Sequence, residues 1–264
     1  MNPSTNSVPP AAPVWVERLK ICSYDVDFTR AATSASLCRY FLDAAWNHAE
    51  ALGVGYRHLR SQDKFWVLLR LRLQVERFPD WGSAVTLRTW PRPVQSVFAM
   101  RDFELVDDAG ARLAAGSSAW LILDAATKRP QRLTRLLPGL IELAERTATD
   151  RDPEKLPDPG SWAEAYSTIV RYTDIDVNRH VNSIRYIGWI LDAYPFPFLA
   201  AHRVRTLEIN YLGETLAGDV LEVRTQRAGP FAASHSLVKA PGAEVCRARV
   251  EWMPAASAGQ SPPR

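Results

Sequence analysis

The chain has 264 residues, 47% of them apolar and 23% charged, a composition typical of soluble globular proteins. This length suits one large domain or two of about 130 residues, and either can bury a core. Its 32 basic and 29 acidic residues leave a formal net charge of only +3, an excess too small to indicate nucleic-acid binding.

The termini and the cysteines bear on where the protein works. Residues 1–13 are rich in Ser, Asn and Pro and lack both a charged start and an apolar stretch, so we expect a disordered tail and no secretory signal. Residues 255–264 predict a second tail. No run approaches the ~18 apolar residues of a membrane span. Three cysteines without a metal-ligand spacing, Cys22, Cys38 and Cys246, favour a reduced, cytoplasmic setting.

The first half predicts a strand, a long helix and about four antiparallel strands. Residues 15–24 predict the first strand, and apolar residues at helical spacing predict a helix that ends near Gly53. Alternation predicts a strand from residue 64 to about residue 76 and another at 84–90. A hairpin follows at 98–123, around a turn at residues 107–110.

A connection and a linker separate this half from the next. Residues 133–146 predict a short helical or irregular segment, and residues 147–161, with three prolines, predict a linker without identifiable chemistry. The order of elements then repeats, with a strand at 163–172, a helix that ends at residue 194, and strands that close in a hairpin at 232–252.

The second half is interpreted as an internal repeat of the first. Offsets of 149, 136 and 132 residues superimpose matching residues in order, beginning with Asp27 over Asp176 and ending with Trp120 over Trp252. Each copy predicts a curved antiparallel sheet wrapped around a central helix, an α+β arrangement. Two copies side by side would make a sheet of about twelve strands.

Residues 174–182 carry the polar groups with chemical capability. Asp176, Asn178 and His180 fall at every second position, so an extended segment would point all three to one cleft. Helical spacing begins directly afterwards, and Asn178 or Asn182 could cap that helix. Free backbone N–H groups at its start would then suit a developing oxyanion.

An alternative interpretation of this stretch is purely structural. Asp-x-Asn is typical of a turn, and His180 would then be a structural histidine. Under the offset of 149 residues, however, Thr29 and Ala31 stand where the second copy has Asn178 and His180. Because a structural turn has little reason to differ in this way, the asymmetry favours one chemical site, in the second half.

Residues 174–182, together with residues 186–192, resemble the signature of the acyl-acyl carrier protein thioesterases. Further similar segments lie at 77–82, 89–90, 101–102, 117–120 and 207–211, so the resemblance extends over residues 18–253. It implies a tandem hot-dog fold, in which an antiparallel sheet wraps around central helices. The implied domains are an N-terminal hot-dog at 14–146 that provides an acyl-chain groove, the linker at 147–161, and a catalytic C-terminal hot-dog at 162–254.

The resemblance also implies an activity and a site. The activity is hydrolysis of a fatty acyl thioester on acyl carrier protein, releasing free fatty acid without a cofactor or metal. The site residues are Asp176, Asn178, His180 and Glu214. Many plant members have a cysteine after this glutamate, whereas this chain has Thr215, so a cysteine nucleophile has no counterpart here.

Simple physical roles can be assigned to these four residues without cysteine. Glu214 in an apolar cleft would act as base or as nucleophile, while Asn178 and His180 would position water or the carbonyl. A helix N-terminal amide would aid the oxyanion, and Asp176 would orient its neighbours. Apolar residues of the first half could line the acyl groove and could equally belong to the core, namely Leu37, Phe41, Trp66, Leu68 and Leu69.

Other functions and partners stay open at this point. An acyl-coenzyme A thioesterase, a hot-dog dehydratase or hydratase, and a non-catalytic acyl-binding module are the alternatives, although binding alone does not need the four polar residues together. Basic side chains could meet an acidic acyl carrier protein, namely Arg132, Arg135, Arg203 and Arg205. Glu208 is interpreted as a surface or structural charge. Both a monomer and a homodimer of tandem chains suit the pattern.

Overall fold

The computed structural model describes residues 12–95, 97–136 and 146–255. Within these residues the strands form one antiparallel sheet of ten, in the order β1-β3-β4-β5-β2-β7-β10-β9-β8-β6. Each half contributes five consecutive strands, and the second half reads as the mirror order of the first. The two copies therefore meet through β2 and β7 at the centre of the sheet, which is the tandem hot-dog arrangement.

The first half contains five strands and three helices, bounded as follows: β1 Trp15–Lys20, α1 Ser34–Ala51, α2 Tyr56–Arg60, β2 Lys64–Val75, β3 Ala84–Gln95, β4 Phe98–Asp107, β5 Arg112–Asp124 and α3 Leu133–Leu136. The second half contains β6 Glu164–Ile169, α4 Ser183–Leu191, α5 Phe196–Ala201, β7 His202–Tyr211, β8 Val220–Arg227, β9 Ala232–Lys239 and β10 Ala243–Pro254. The predicted order of strand, long helix and antiparallel strands is confirmed in both halves.

The long helix of each half begins at a side-chain cap and buries its apolar face against the sheet. Thr33 accepts a hydrogen bond from Ser36 N at the start of α1, and Asn182 accepts one from Ile184 N at the start of α4. Phe41 on α1 stacks on Phe103 of β4, with ring centroids 4.9 Å apart. The predicted apolar faces are therefore core faces, as their helical spacing indicated.

The seam between the copies is a short antiparallel pairing. Arg70 to Gln74 of β2 pair with Thr206 to Asn210 of β7, and Arg72 lies directly opposite Glu208. Arg72 Nη1 donates to Glu208 Oε2 at 3.0 Å, and both side chains are almost fully buried. The offset of 136 residues makes these two positions equivalent in the repeat. The first copy therefore has a cation where the second has an anion.

The linker packs against the outer face of the sheet at this seam. Arg151 donates to both carboxylate oxygens of Glu208, and Glu154 N donates to Glu208 Oε1 at 3.0 Å. Leu156 N donates to Asn210 Oδ1 at 2.8 Å. The linker, in which the sequence shows no identifiable chemistry, has a structural part, because its backbone and Arg151 satisfy buried polar groups of β7. Glu208 is a buried structural charge.

Several other predictions differ from the structure in detail. The sheet has ten strands among the described residues rather than about twelve, and both first strands end early in a short 3₁₀ turn, at Ser23–Asp25 and Tyr172–Asp174. Ala12 lies inside the predicted tail, yet its carbonyl accepts a hydrogen bond from His48 Nε2 at 3.0 Å. Residues 1–11 and 256–264 of the predicted tails, and residues 137–145 of the predicted connection, lie outside the described residues.

Candidate active site

The stretch that carries Asp176, Asn178 and His180 is a closed turn rather than an extended segment. Ile175 bridges to Val181, and Asp176 N donates to His180 O at 2.8 Å. Arg179 has a φ of 63° and its N–H donates to Asp176 O at 3.0 Å, which closes the turn. The expectation of an extended segment was therefore wrong, and the turn interpretation describes the backbone correctly.

The side chain of Asp176 holds this turn from within. Its Oδ1 accepts hydrogen bonds from Asn178 N at 2.8 Å and from His180 N at 3.4 Å. Such Asx-type bonds are the usual reason for aspartate at the first position of a turn. Asp176 therefore acts on the backbone that carries the amide and the imidazole.

His180 faces Glu214 across the gap between two segments of the chain. His180 Nε2 lies 3.3 Å from Glu214 Oε2, although the two residues are 34 positions apart. The His180 side chain is 35% exposed and the Glu214 side chain 58% exposed. The expected apolar cleft around Glu214 is thus wrong for the free protein, because the carboxylate lies largely in solvent.

The loop that carries Glu214 is tied to the turn that carries His180. Val181 N donates to Thr215 O at 2.9 Å, and the Tyr186 hydroxyl donates to Thr215 Oγ1 at 2.8 Å. Lys239 Nζ also donates to Glu214 O at 3.2 Å. These bonds bring together an acid and an imidazole that no local sequence pattern connects.

The start of α4 is less open to an oxyanion than its sequence indicated. Asn182 N donates to Asp174 O at 2.8 Å, and Ile184 N donates to Asn182 Oδ1 at 3.0 Å. Because these amides already have protein acceptors, they are not free donors. Asn178, two residues before His180, is exposed, and its carboxamide has no hydrogen bond to another of the described residues.

The first copy has the same turn without the same chemistry. Asp27 N donates to Ala31 O at 2.9 Å, as Asp176 N does to His180 O, and Arg30 has a φ of 69°. Ala32 N donates to Pro79 O at 2.9 Å, which reproduces the bond from Val181 to Thr215. Under these correspondences Ala31 replaces His180, and Phe78 replaces Glu214.

Side chains of the second half contact the turn of the first copy, in which Phe28 is still 57% exposed. Arg203 Nη2 donates to Thr29 Oγ1 at 2.7 Å, and the rings of Phe28 and Phe196 lie 4.7 Å apart. Arg203 is thus partly engaged within the protein, whereas Arg205 is exposed. The side chain of Arg135, another residue of the expected basic surface, lies outside the described residues.

Apolar side chains are exposed on the two segments that carry His180 and Glu214. Val177 is 83% exposed beside His180, and Leu212 and Leu216, which flank Glu214, are about half exposed. Tyr172, which precedes this turn, is 90% exposed, but the first copy also has exposed aromatic residues, with Tyr24 at 98% and Phe28 at 57%. Such single exposed apolar residues are ordinary on protein surfaces and do not by themselves mark a site. Of the expected groove walls, Leu37 and Phe41 lie in the core, and the others are half-buried.

The remaining histidines and cysteines do not form a competing site among the described residues. Burial lowers the pKa of His48 to about 4 and that of His235 to about 3, so both imidazoles are neutral core groups. Burial raises the pKa of the Cys38 and Cys246 thiols, which disfavours the thiolate form of a nucleophile. No helix within residues 12–95, 97–136 and 146–255 is long and apolar enough to cross a membrane.

Two family models match most of the chain. The model of the acyl-ACP thioesterase N-terminal domain matches residues 13–137, and that of the acyl-ACP thioesterase C-terminal domain matches residues 162–254. Among curated relatives, a chloroplastic palmitoyl-acyl carrier protein thioesterase of Gossypium hirsutum is 27% identical over 91% of this chain. A chloroplastic dodecanoyl-[acyl-carrier-protein] hydrolase of Cinnamomum camphora is also 27% identical over 91%. The chain spans 64% and 68% of the lengths of these two relatives.

Solved structures extend the same similarity to the fold. An acyl-ACP thioesterase from Bacteroides thetaiotaomicron superimposes with a TM-score of 0.83 at 25% identity, covering 91% of this chain and 98% of its own. A 12:0-ACP thioesterase from Umbellularia californica gives a TM-score of 0.82 at 24% identity, covering 92% and 98%. This chain therefore shares its tandem hot-dog arrangement with both solved structures along nearly its whole length.

Proposed function

Since the chain belongs to the acyl-ACP thioesterase family, we propose that it hydrolyses the thioester between a fatty acyl group and the phosphopantetheine arm of an acyl carrier protein, releasing free fatty acid. The observation that carries this proposal is the contact of 3.3 Å between His180 Nε2 and Glu214 Oε2. The turn that carries His180 also presents the exposed Asn178, and the contact between acid and imidazole occurs in only one copy of this repeated turn, which favours a chemical site over a structural turn.

In the proposed reaction Glu214 acts as general base. Its carboxylate takes a proton from water as the water oxygen bonds to the thioester carbon, and the Asn178 carboxamide donates to the resulting oxyanion. The proton on Glu214 passes to His180 across their contact, and His180 gives it to the departing thiolate as the carbon–sulfur bond breaks. Both groups are then back in their starting state.

An alternative role for Glu214 is direct attack on the carbonyl to form an anhydride, which water then hydrolyses. A single turnover in ¹⁸O-labelled water distinguishes the two roles. A general base leaves ¹⁸O only in the fatty acid, whereas hydrolysis of the anhydride at the Glu214 carbonyl would place ¹⁸O in the protein. The exposed carboxylate favours water activation, because a water molecule has free access to it.

The acyl chain is proposed to lie along the half-buried apolar run at residues 65–69 of β2. The internal repeat supports this proposal, since Arg203 contacts Thr29 in the first turn, and the offsets of 136 and 149 residues make Val67 and Asn178 the equivalent positions. Val67→Trp should then shift the preferred substrate toward shorter acyl chains. An unchanged chain-length profile would exclude residues 65–69 as the groove. We also propose two domains, an N-terminal one at 14–146 that provides the acyl groove and a C-terminal one at 162–254 that carries the catalytic residues.

The partner is proposed to be an acyl carrier protein whose docking covers Val177, Leu212 and Leu216 and shields the polar pair from water. Removing water would strengthen every electrostatic interaction at the site. A cytoplasmic setting, and the choice between monomer and homodimer, stay predictions. Exposed basic side chains such as Arg205 would favour an acidic partner.

The proposal is tested by the release of free fatty acid from a matched panel of acyl-carrier and acyl-coenzyme A substrates of several chain lengths. We expect hydrolysis of acyl-carrier substrates with the higher kcat/KM. A higher kcat/KM on the coenzyme A substrates would reassign the carrier while keeping the chemistry. Binding of acyl-carrier substrate without any acid release would instead make the protein an acyl-binding module.

A further inference from the structure

Thr215 is a buried residue directly beside the exposed Glu214. Its side chain is 0% exposed, and the Tyr186 hydroxyl, which belongs to a side chain 3% exposed, donates to Thr215 Oγ1 at 2.8 Å. A buried hydroxyl costs free energy unless it is hydrogen-bonded. The two hydroxyl groups therefore hold each other in place, and they fix the chain one residue after the carboxylate.

The backbone of Thr215 makes a second tie, to the other half of the catalytic pair. Thr215 O accepts from Val181 N at 2.9 Å, and Val181 directly follows His180. One residue thus bonds through its carbonyl to the His180 turn and through its hydroxyl to α4. The position of Glu214 relative to His180 depends on both bonds.

Tyr186 is itself rigidly held. Its ring meets the rings of Trp189 and Tyr211 edge-on, with centroids 5.5 and 5.7 Å away. The Tyr211 hydroxyl donates to Ser183 O at 3.0 Å, and Tyr211 ends the strand that leads into the Glu214 loop. A hydroxyl presented by such a packed aromatic cluster is a fixed point, which is what positioning a catalytic group requires.

The first copy keeps the backbone tie and lacks the hydroxyl pair. Ala32 N donates to Pro79 O at 2.9 Å, but Pro79 has no hydroxyl, and Leu37 stands at the position of Tyr186. In the same copy alanine and phenylalanine replace the imidazole and the carboxylate. The pair of hydroxyl groups is therefore found only in the copy that has the acid and the imidazole. The backbone hydrogen bond that closes the turn is found in both copies.

We propose that Thr215 and Tyr186 are positioning residues, whose hydrogen bond holds Glu214 against His180. This inference rests on the proposed thioester hydrolysis for its catalytic consequence. The Thr215 hydroxyl is buried and engaged by Tyr186, so it acts through Glu214 and does not attack substrate. A threonine here thus has a structural use of its own.

Single variants test the bond by its effect on turnover. Thr215→Val and Tyr186→Phe should each lower kcat by roughly 10-fold, because a small displacement of a reacting group slows the chemical step. KM should change by less than about two-fold, since neither side chain reaches substrate. Thr215→Ser keeps the hydroxyl and should restore most of kcat.

The double variant separates positioning from stability. Each single variant leaves one buried hydroxyl without its partner, whereas Tyr186→Phe with Thr215→Val removes both and should regain most of the melting temperature. We expect kcat to stay low in this double variant. A kcat that recovers together with the melting temperature would overturn the proposal, because the bond would then be merely structural.

Two further variants complete the design. In a Glu214→Gln background, Thr215→Val should lower kcat no further, since its effect passes through the carboxylate; a full additional loss would contradict this. Tyr40→Phe is the matched control, because Tyr40 is a buried phenol on α1 that bonds Asp25 in the copy without the acid and imidazole. It should lower the melting temperature and leave kcat unchanged.

A structural readout keeps the two claims distinguishable. If the wild-type protein hydrolyses no substrate of the panel, the proposed function fails, and the positioning claim is then decided by the crystal structure of Thr215→Val. We expect the distance between His180 Nε2 and Glu214 Oε2 to increase beyond hydrogen-bond range in that variant. A contact retained at 3.3 Å would overturn the positioning claim whatever the activity.

Discussion

The turns at residues 26–32 and 175–181 have the same backbone hydrogen bonds, and each places an arginine in the left-handed region, with φ of 69° and 63°. They differ in the side chains that this backbone presents. The second turn has His180 facing Glu214, and the first has Ala31 with Phe78 at the glutamate position. The backbone turn is thus a feature of the fold, and the proposed function depends on side chains that only one of its two copies has.

The surroundings of the two turns differ less than their side chains. The first turn is contacted by Arg203 and Phe196 from the second half, yet its Phe28 is still 57% exposed, and Val177 of the second turn is 83% exposed. Exposed apolar residues therefore occur at both turns, and we propose the second as the chemical site because it has the polar pair of His180 and Glu214.

The largest expected effect comes from removing the polar pair. His180→Ala and Glu214→Gln should each lower kcat by roughly 10² to 10⁴-fold, because each removes a proton-transfer group. His58→Ala in the first half is the control, since His58 is exposed, and it should leave kcat unchanged. Steady-state kinetics on an acyl-carrier substrate measure all three. Near-normal kcat in folded His180→Ala protein would remove this residue from the site.

The next effect concerns the seam, where equivalent positions carry opposite charges. Glu208→Gln should lower the free energy of unfolding by about 3 kcal/mol, because it removes the buried carboxylate that Arg72 and Arg151 share and leaves Arg72 only its ion pair with Asp150, at 3.0 Å. Glu164→Gln breaks an exposed ion pair with Arg227 and should cost less than about 1 kcal/mol. Denaturant unfolding compares the two variants. Equal losses of unfolding free energy in the two variants would show that the buried ion pair contributes no more to stability than the exposed one.

A smaller effect depends on pH and on one buried histidine in each half. Burial holds the pKa of His48 at about 4 and of His235 at about 3, below the unfolded value near 6.5, so the unfolded chain binds more protons as pH falls. Each should cost about 2 kcal/mol between pH 7 and pH 5. His48 faces Arg101, and His235 faces Tyr194 and Thr225.

This pH dependence is measured by denaturant unfolding at several pH values. His235→Gln should reduce the loss of stability on acidification, whereas the exposed His58→Gln should leave the profile unchanged. A His235→Gln profile parallel to that of the wild type would mean that this imidazole is already protonated in the folded protein.

The smallest effect compares the two turn aspartates. Asp27→Ala and Asp176→Ala each remove side-chain bonds to the turn backbone and should each cost about 1 kcal/mol. Only Asp176→Ala should also lower kcat, by roughly 10-fold, since it alone holds the backbone of Asn178 and His180. Equal kcat in both variants would contradict the division between the copies.

Periodicity was enough to predict the long helices and the hairpins, because their apolar faces bury against one sheet. It missed α2 and α5, which have five and six residues and too few turns to show a helical pattern. The turn at Asp176 was predicted as extended because alternating polar residues do not reveal a backbone closed by its own side chain. Glu214 was predicted as a site residue from the family resemblance and not from a local pattern, because only tertiary contacts place it beside His180.

The polar contacts of the linker could not be predicted from the sequence either, because their partners are far apart in the chain. Backbone donors at Glu154 and Leu156 meet Glu208 and Asn210 more than 50 residues away, and no spacing within the linker signals them. The buried pair of Arg72 and Glu208 depends in turn on the register of β2 against β7. Such features follow from the assembled sheet.

The central claim is that one of the two copies carries the chemical site, and the number of substrates bound per chain tests it most directly. An acyl carrier protein whose thioester is replaced by an amide is titrated into the protein in a calorimeter. One equivalent per chain is the predicted result, with the imidazole signals of His180 perturbed in the same complex by NMR. Two equivalents per chain, or a complex that leaves His180 unperturbed, would contradict the account.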